Sequence, residues 1–341
     1  MDAIKLLESL PRKSIFHHPA WANVITETYG KDWHGKSLYR YKNDAGIETY
    51  PRLFTSIILR PIPIQGYEEY CDAISPVWGG VLWDVEFSPA ITTWTQWIYD
   101  MLAHNKAVSY FIRYDPIVGN HRADPDAILV GDIVYIDLTK PEKQIKAEMQ
   151  KQTRNAIENA RKKGVHITHG KGEEYLNRFK AIYNSAMAAK GAAQGYIYPD
   201  QFYTSLDKWL GPMEGYRVFI ATKNGKDIAA SLEVGGYGRL YDMCRVYKDD
   251  QPQDNAHNLL LWNVIKWAKK NGIETFNLGG RDASGSFAFK EGWSNDRKPY
   301  FIGKKILLPA IYKELQEKTG TGGKTEGYFP VYRNQPGNQV G

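Results

Sequence analysis

Cysteine is nearly absent. The 341 residues contain two, Cys71 and Cys244, far apart in the chain and outside any CxxC or Cys/His ligand spacing. That excludes a disulfide scaffold and a structural zinc site, and it fits a reducing compartment. The eight histidines are scattered; His166 and His169 lie three apart, but no third ligand accompanies them, so no metal site is expected. Long apolar runs are missing too, and no window approaches the ~20 residues of a membrane span. The opening segment MDAIKLLESLPRKS lacks the apolar stretch of a signal peptide. A cytoplasmic protein without an integral membrane segment is therefore expected. There is no Walker A motif, no G-x-G-x-x-G and no G-x-S-x-G elbow, and no short-period repeat.

What is present is a chain able to build real cores, with 43% hydrophobic residues. Aromatics reach 13%, including 23 Tyr and 10 Trp, a load suited to clefts for extended polar ligands as well as to aromatic cores. The net charge of +6 and pI of about 8.9 permit an anionic partner without demanding one. In the first half a helix is expected from Trp21 to Tyr29 and another over Ala90–His104. Strands are expected at Ser37–Tyr41, Leu53–Leu59, Val108–Tyr114 and Ile133–Leu138. The dense Gly and Pro of Pro61–Pro89 read as loops. At Thr139-Lys140-Pro141 a polar, basic helical stretch begins, with Thr139 as its expected cap, and the domain boundary is placed there.

The second half alternates again. Helices are expected at Glu173–Lys190 and Pro199–Leu210, then strands at Arg217–Thr222, Ile228–Val234 and Arg239–Cys244. Asn224-Gly225 supplies a hairpin turn. The amphipathic helix Asn258–Asn271 ends at Gly272, in the position of a C′ glycine, and a strand Glu274–Leu278 runs into Gly279-Gly280. Hairpin strands, a helix and a further strand make an α+β layer on a mixed sheet.

Several segments carry residues fit for chemistry. The strand ending in Gly279-Gly280-Arg281 lets a ligand approach the backbone, and Lys290, after Phe289, supplies positive charge where an oxyanion would develop. Taken alone, this also reads as a twin-glycine turn with a surface lysine. Tyr110-Phe111-Ile112-Arg113-Tyr114-Asp115-Pro116 ends in a carboxylate placed for proton transfer, or in an Arg–Asp pair that closes a turn. Lys146–Lys171 holds seven Lys or Arg against two Glu. Arg154 and Arg161 share a helix face there, followed by Lys162 and Lys163; such a face tracks phosphates or is simply solvated. Before Leu259, Gln251–Asn258 has no glycine, and Asp254 would repel a phosphate. A pyrophosphate cradle of the usual acetyl-CoA kind is thus missing.

In that order, these segments resemble the FemABX family of peptidoglycan bridge-forming aminoacyltransferases and the related FemAB-like and BioF2-like GNAT acyltransferases. The resemblance runs from Phe16-His17-His18-Pro19-Ala20-Trp21 to Tyr328-Phe329-Pro330-Val331-Tyr332-Arg333. It is strongest at Phe276-Asn277-Leu278-Gly279-Gly280 with Phe289-Lys290. It implies tandem GNAT-like domains, each a mixed sheet flanked by helices, over residues 1–140 and 141–314, with a tail of about 315–341 returning to the first. It implies a monomer of the short type, since no heptad run marks a coiled-coil arm. The implied reaction moves an aminoacyl group from aminoacyl-tRNA to an amine of a cell-wall or polysaccharide precursor, with no dissociable cofactor. The alternatives are an acyl-CoA-dependent N-acyltransferase acting on an amino sugar, and a non-catalytic binding module.

Carried over by residue, Lys290 and Asp115 are the expected catalytic pair. Tyr110, Arg113, Arg217, His257, Asn258, Gly279, Gly280, Arg281 and Phe289 are expected at the substrate, and Arg154, Arg161, Lys162 and Lys163 at tRNA phosphates. Two positions depart from the pattern. Asn23 stands where relatives carry a phosphate-binding lysine, and Asn255–Asn258 lacks the tyrosines of some bridge-forming members.

Overall fold

The computed structural model describes residues 2–30, 32–42, 48–192, 196–280, 287–323 and 327–333. The chain forms two compact units. One is assembled from both ends, residues 1–130 and 300–341; the other is the continuous segment 131–299. The boundaries expected at 140 and 314 therefore fall inside the second unit and inside the returning part of the first. The reason is strand pairing: the strand before Thr139 pairs within the second unit, and the strand at 302–306 pairs within the first.

In the first unit, α1 (Ala3–Ser9) is capped by Asp2, which accepts from the Lys5 N–H. α2 (Pro19–Tyr29) starts on a first-turn proline with the His18 ring accepting from the Ala20 N–H. β1 (His34–Lys42) and β2 (Glu48–Pro61) pair antiparallel. β3 (Cys71–Ile74) joins β2, and β4 (Leu82–Trp83) pairs with β2 as well. Both strands lie in the stretch expected to be loop: the Gly and Pro residues punctuate them, but two to four residues suffice once a sheet edge offers pairing. α3 (Pro89–His104) leads to β5 (Ala107–Arg113), parallel to β3, and β12 (Arg297–Ile306) returns to pair antiparallel with β5. α10 (Pro309–Lys318) and the segment to Arg333 finish the unit. Asp72 on β3, fully buried, anchors that last segment. It accepts from Ser109 Oγ at 2.6 Å, Arg333 Nε at 2.5 Å and the Tyr332 hydroxyl.

The second unit is one sheet in the order β6-β11-β10-β9-β8-β7. β6 (Ile128–Asp137) leads into α4 (Glu142–Glu148) and α5 (Lys151–Lys162). The N-cap of α4 is Pro141, not Thr139, whose N–H and hydroxyl both turn back to Asp137 Oδ1. β7 (His166–Gly170), which the basic stretch concealed, edges the sheet. α6 (Glu173–Ala189) and α7 (Asp200–Leu210) precede the hairpin of β8 (Tyr216–Lys223) and β9 (Lys226–Gly236). Asn224 and Gly225 form its turn at φ 49° and 72°. β10 (Arg239–Tyr247), α8 (Ala256–Lys270), β11 (Thr275–Gly280) and α9 (Phe287–Glu291) complete the unit. α8 buries Leu260, Leu261, Val264, Ile265 and Ala268 against the sheet. It ends in a Schellman turn, with Gly272 at φ 70° and the Ile273 N–H on Ala268 O.

Candidate active site

β10 and β11 run parallel and, among the described residues, pair at Arg239/Thr275, Leu240/Phe276 and Tyr241/Asn277. Beyond that point each bulges on its other side: β10 between Asp242 and Cys244 against β9, β11 between Asn277 and Gly279 against β6. An extra residue bends a strand and changes which side chains share a face. The two parallel strands thus part where Gly279 and Gly280 end β11. Gly279 has φ 82°, a conformation that disfavours any side chain, and its N–H donates to Asn277 Oδ1 at 2.7 Å. The Asn277 Nδ2 is buried without a partner.

α9 brings Lys290 to this strand end. Its ammonium donates to the Gly280 carbonyl at 2.8 Å, and a side chain at Gly279 would begin 3.5 Å from Lys290 Nζ. The turn after α9 is fixed by the Gln150 N–H donating to the Gly292 carbonyl at 2.9 Å. Phe289 lies 4.8 Å from the Arg245 guanidinium, ring centroid to Cζ. The structure thus joins Lys290, Gly279, Gly280 and Phe289 at one strand end; Arg281 lies outside the described residues.

Arg245 opens onto a group that no sequence pattern had singled out. The bulge in β10 puts Asp242 and Arg245, three apart, on the same face, opposite Glu233 and Ser231 of β9. Asp242 and Arg245 form an ion pair at 2.5 Å with side chains only 6% and 8% exposed. Glu233 is fully buried and neither of its carboxyl oxygens has a hydrogen-bonding partner of ordinary geometry. Burial, and then the negative Asp242, push its carboxyl well above the usual carboxylate range, against the opposing pull of Arg245 and Ser231. A single Glu within the apolar run of β9 was the one available signal. The bulge that gives it companions has no sequence signature.

At the start of α8, His257 stacks on Tyr247 with ring centroids 3.4 Å apart. Burial, then the nearby Arg245 charge, lowers its imidazole to about 3, so it is neutral at physiological pH. The helix has no side-chain N-cap, yet its first N–H groups are occupied. Ala256 donates to Gln253 O, His257 to the Tyr247 hydroxyl, and Asn258 and Leu259 to Asn255 O. Asp254 is held by Lys223 at 2.6 Å and Lys163 at 3.1 Å, which keep its carboxyl below its ordinary value.

The remaining expected site residues are placed as follows. Asp115 is fully buried, and its Oδ1 accepts from the Ile117 and Val118 N–H groups at 2.9 and 3.2 Å. It closes the turn after β5 rather than standing open as a base. Tyr110 is a core residue of the first unit, 2% exposed and packed on Tyr99 at 6.2 Å. Arg113 lies over Phe111 at 5.2 Å, and Arg217 over Trp267 at 5.3 Å. Arg154 does not face outward for phosphate: its guanidinium caps the last carbonyls of α4, those of Lys146, Ala147 and Met149. Arg161, Lys162 and Lys163 are all exposed; Arg161 pairs with Glu158 at 2.8 Å and Lys163 with Asp254 at 3.1 Å. Among the described residues no His, Cys, Asp or Glu group is arranged to hold a metal ion, and no helix is long and apolar enough to cross a membrane.

A parted pair of parallel strands, with a helix following the first and a charged side chain at the end of the second, defines a GNAT-type acyltransferase fold. Residues 147–291 match the family model for the acetyltransferase (GNAT) domain. The fold is FemABX-like: the chain superposes on the crystal structure of FemX with a TM-score of 0.70 at 12% identity, over 92% of this chain and 98% of that one. It is also similar to the C-terminal domain of a putative lysylphosphatidylglycerol synthetase from Agrobacterium fabrum. There the TM-score is 0.56 at 14% identity, over 95% and 99% of the two chains. L-PGS from Bacillus licheniformis gives a TM-score of 0.55 at 11% identity, over 91% and 93%. Comparison with curated protein sequences gives no match.

Proposed function

We propose that this GNAT acyltransferase is an aminoacyltransferase that takes its donor as aminoacyl-tRNA and forms an amide on an amine of a cell-envelope precursor, with a peptidoglycan peptide as the acceptor. The observation that carries the choice of donor is the start of α8. A CoA pyrophosphate is held elsewhere by free N–H groups at a helix N-terminus. Here the first N–H groups already have acceptors. An aminoacyl ester of tRNA needs no such seat and no dissociable cofactor. The likeness to FemX and to a protein named for lysylphosphatidylglycerol synthesis supports the same reading.

In this reaction the acceptor nitrogen bonds to the ester carbonyl carbon, the bond from that carbon to the ribose oxygen breaks, and the proton lost by the amine passes to the departing ribose oxygen to give the free hydroxyl. Lys290 holds its ammonium at the Gly280 carbonyl at the end of β11, and its role is to stabilise the oxyanion or the departing ribose oxygen. Lys290→Met is expected to lower transfer about 10²–10³-fold with donor affinity kept; full turnover in the variant would sink this role.

The reading is tested by calorimetry with acetyl-CoA and with a charged tRNA pool at moderate salt. Salt-sensitive binding of charged tRNA with no heat from acetyl-CoA is expected. Tight acetyl-CoA binding with no response to tRNA would instead make the chain a CoA-dependent N-acyltransferase.

A further inference from the structure

Buried polar atoms without partners are rare in folded proteins and call for an explanation where they cluster. Six atoms without a partner of ordinary geometry lie on neighbouring residues of the second unit: both carboxyl oxygens of Glu233, Asp242 Oδ1, Arg245 Nη1, Ser231 Oγ and His257 Nε2, with Ser231 near enough to Glu233 to pull on its carboxyl. They belong to facing residues of β9 and β10 and to the first turn of α8, and Phe289 of α9 covers Arg245. Three of the six are carboxyl oxygens, which accept hydrogen bonds when ionised, and the neutral imidazole adds an acceptor or a donor according to its tautomer. The set is unsatisfied as it stands, and adding another carboxylate to it would worsen the imbalance. What satisfies several carboxyl oxygens at one point is a compact cation with several N–H donors, and a primary ammonium has three. The free Nη1 of Arg245 offers a donor to an oxygen on the same ligand.

We propose that Glu233, Asp242, Ser231 and Arg245 form a binding site for the primary ammonium group of a substrate, with the α-ammonium of the donor's aminoacyl group as its principal occupant. The proposal rests on the aminoacyl-transfer reading and deepens it, since an acetyl group has no ammonium to place there.

Charge balance gives the site a signature. Without ligand, burial and Asp242 favour the protonated form of Glu233, and the Asp242–Arg245 pair is neutral overall. An ammonium brings one positive charge; ionisation of Glu233 restores neutrality and releases one proton. The groups that face Glu233 are Asp242 and Arg245 on β10 and Ser231 on β9, and His257 from α8 lies beside Arg245. Arg217, its neighbour on β8, turns its guanidinium onto Trp267 instead. Glu233→Gln preserves the size and neutrality of the protonated acid, so the variant folds, but it cannot become an anion when the ammonium arrives.

The experiment uses the full chain and calorimetry in two buffers of different ionisation enthalpy. The probes are an amide-linked aminoacyl adenosine with a free α-ammonium, its N-acetylated counterpart, an amine-bearing acceptor peptide, and acetyl-CoA. The expected result is binding of the first probe with release of about one proton, binding of the N-acetylated probe at least tenfold weaker, and loss of both the discrimination and the proton release in Glu233→Gln. Discrimination by the acceptor peptide instead of the donor analogue supports the ammonium site and reassigns its occupant. Equal binding of the free and acetylated probes overturns the site and leaves aminoacyl transfer standing. Binding of acetyl-CoA alone overturns both.

Discussion

Removing the guanidinium of Arg245 should be among the most costly single changes in the second unit. Its ion pair with Asp242 is almost wholly out of water, with 8% and 6% of the two side chains exposed, and its Cζ lies 4.8 Å from the Phe289 ring. Breaking a buried pair from one side leaves the other charge uncompensated, at about 3–5 kcal/mol. The contact with Phe289 adds about 0.5–2 kcal/mol. The loss in Arg245→Met is therefore set mainly by the stranded Asp242. Replacing both partners, as Arg245→Met with Asp242→Leu, should recover most of it, because a buried pair exchanged for apolar groups costs little. Urea unfolding of the wild type, both single variants and the double variant measures the coupling directly. In a unit of this size the single variant should also melt roughly 6–20 °C lower, from about 2–4 °C per kcal/mol. A loss below about 1 kcal/mol in Arg245→Met, or a double variant no more stable than the single, would refute the reasoning.

Glu233→Gln should stabilise the protein increasingly with pH. The folded-state carboxyl is raised above its unfolded value, so the wild type has full stability below pH ~4.5 and loses it as pH rises toward the folded value, at most about 1.4 kcal/mol per pH unit; a difference in urea midpoint that stays flat from pH 4 to 8 would contradict this. Arg154→Gln should lower stability by about 1–3 kcal/mol through the lost carbonyl cap. Lys162→Gln should leave stability within about 0.5 kcal/mol and reduce the salt dependence of tRNA binding by about one charge; equal effects of the two variants on that slope would undo the distinction. Asp115→Asn keeps an oxygen for the Ile117 and Val118 N–H groups, so it should hold both fold and turnover, whereas Asp115→Ala should cost about 1–3 kcal/mol; turnover lost in a well-folded Asn variant would restore Asp115 as a base.

Where local chemistry decides, the sequence was readable. The Asn224-Gly225 turn, the apolar stripe of α8 and the C′ glycine at 272 each act over a few residues, and each is found where expected. The Gly279-Gly280 strand end with Lys290 beside it was legible for the same reason. Features that depend on distant partners were not. β3 and β4 are too short to announce themselves and exist because β2 accepts them; β7 is hidden in a basic stretch and is drawn out by β8. The run of charge on α4 and α5 looked like one surface, but Arg154 turns inward to carbonyls and Lys163 reaches Asp254. Glu233 and Asp242 sit nine positions apart on two strands, and only a bulge invisible in the sequence turns Asp242 and Arg245 to the same side.

The clasp at Asp72 has a consequence for synthesis. The second unit is one unbroken stretch and is complete once residue 299 has been made, whereas the first waits for β12 and for Tyr332 and Arg333. Between β5 and the strand that pairs with it, the ribosome adds the whole intervening segment, roughly 10–40 s of elongation. Throughout that interval β5 presents an open edge, the kind of surface that recruits foreign strands. The half of the chain made first is thus the half finished last, and a transcript cut short before Arg333 would yield a folded second unit tethered to an adhesive, unfinished first one.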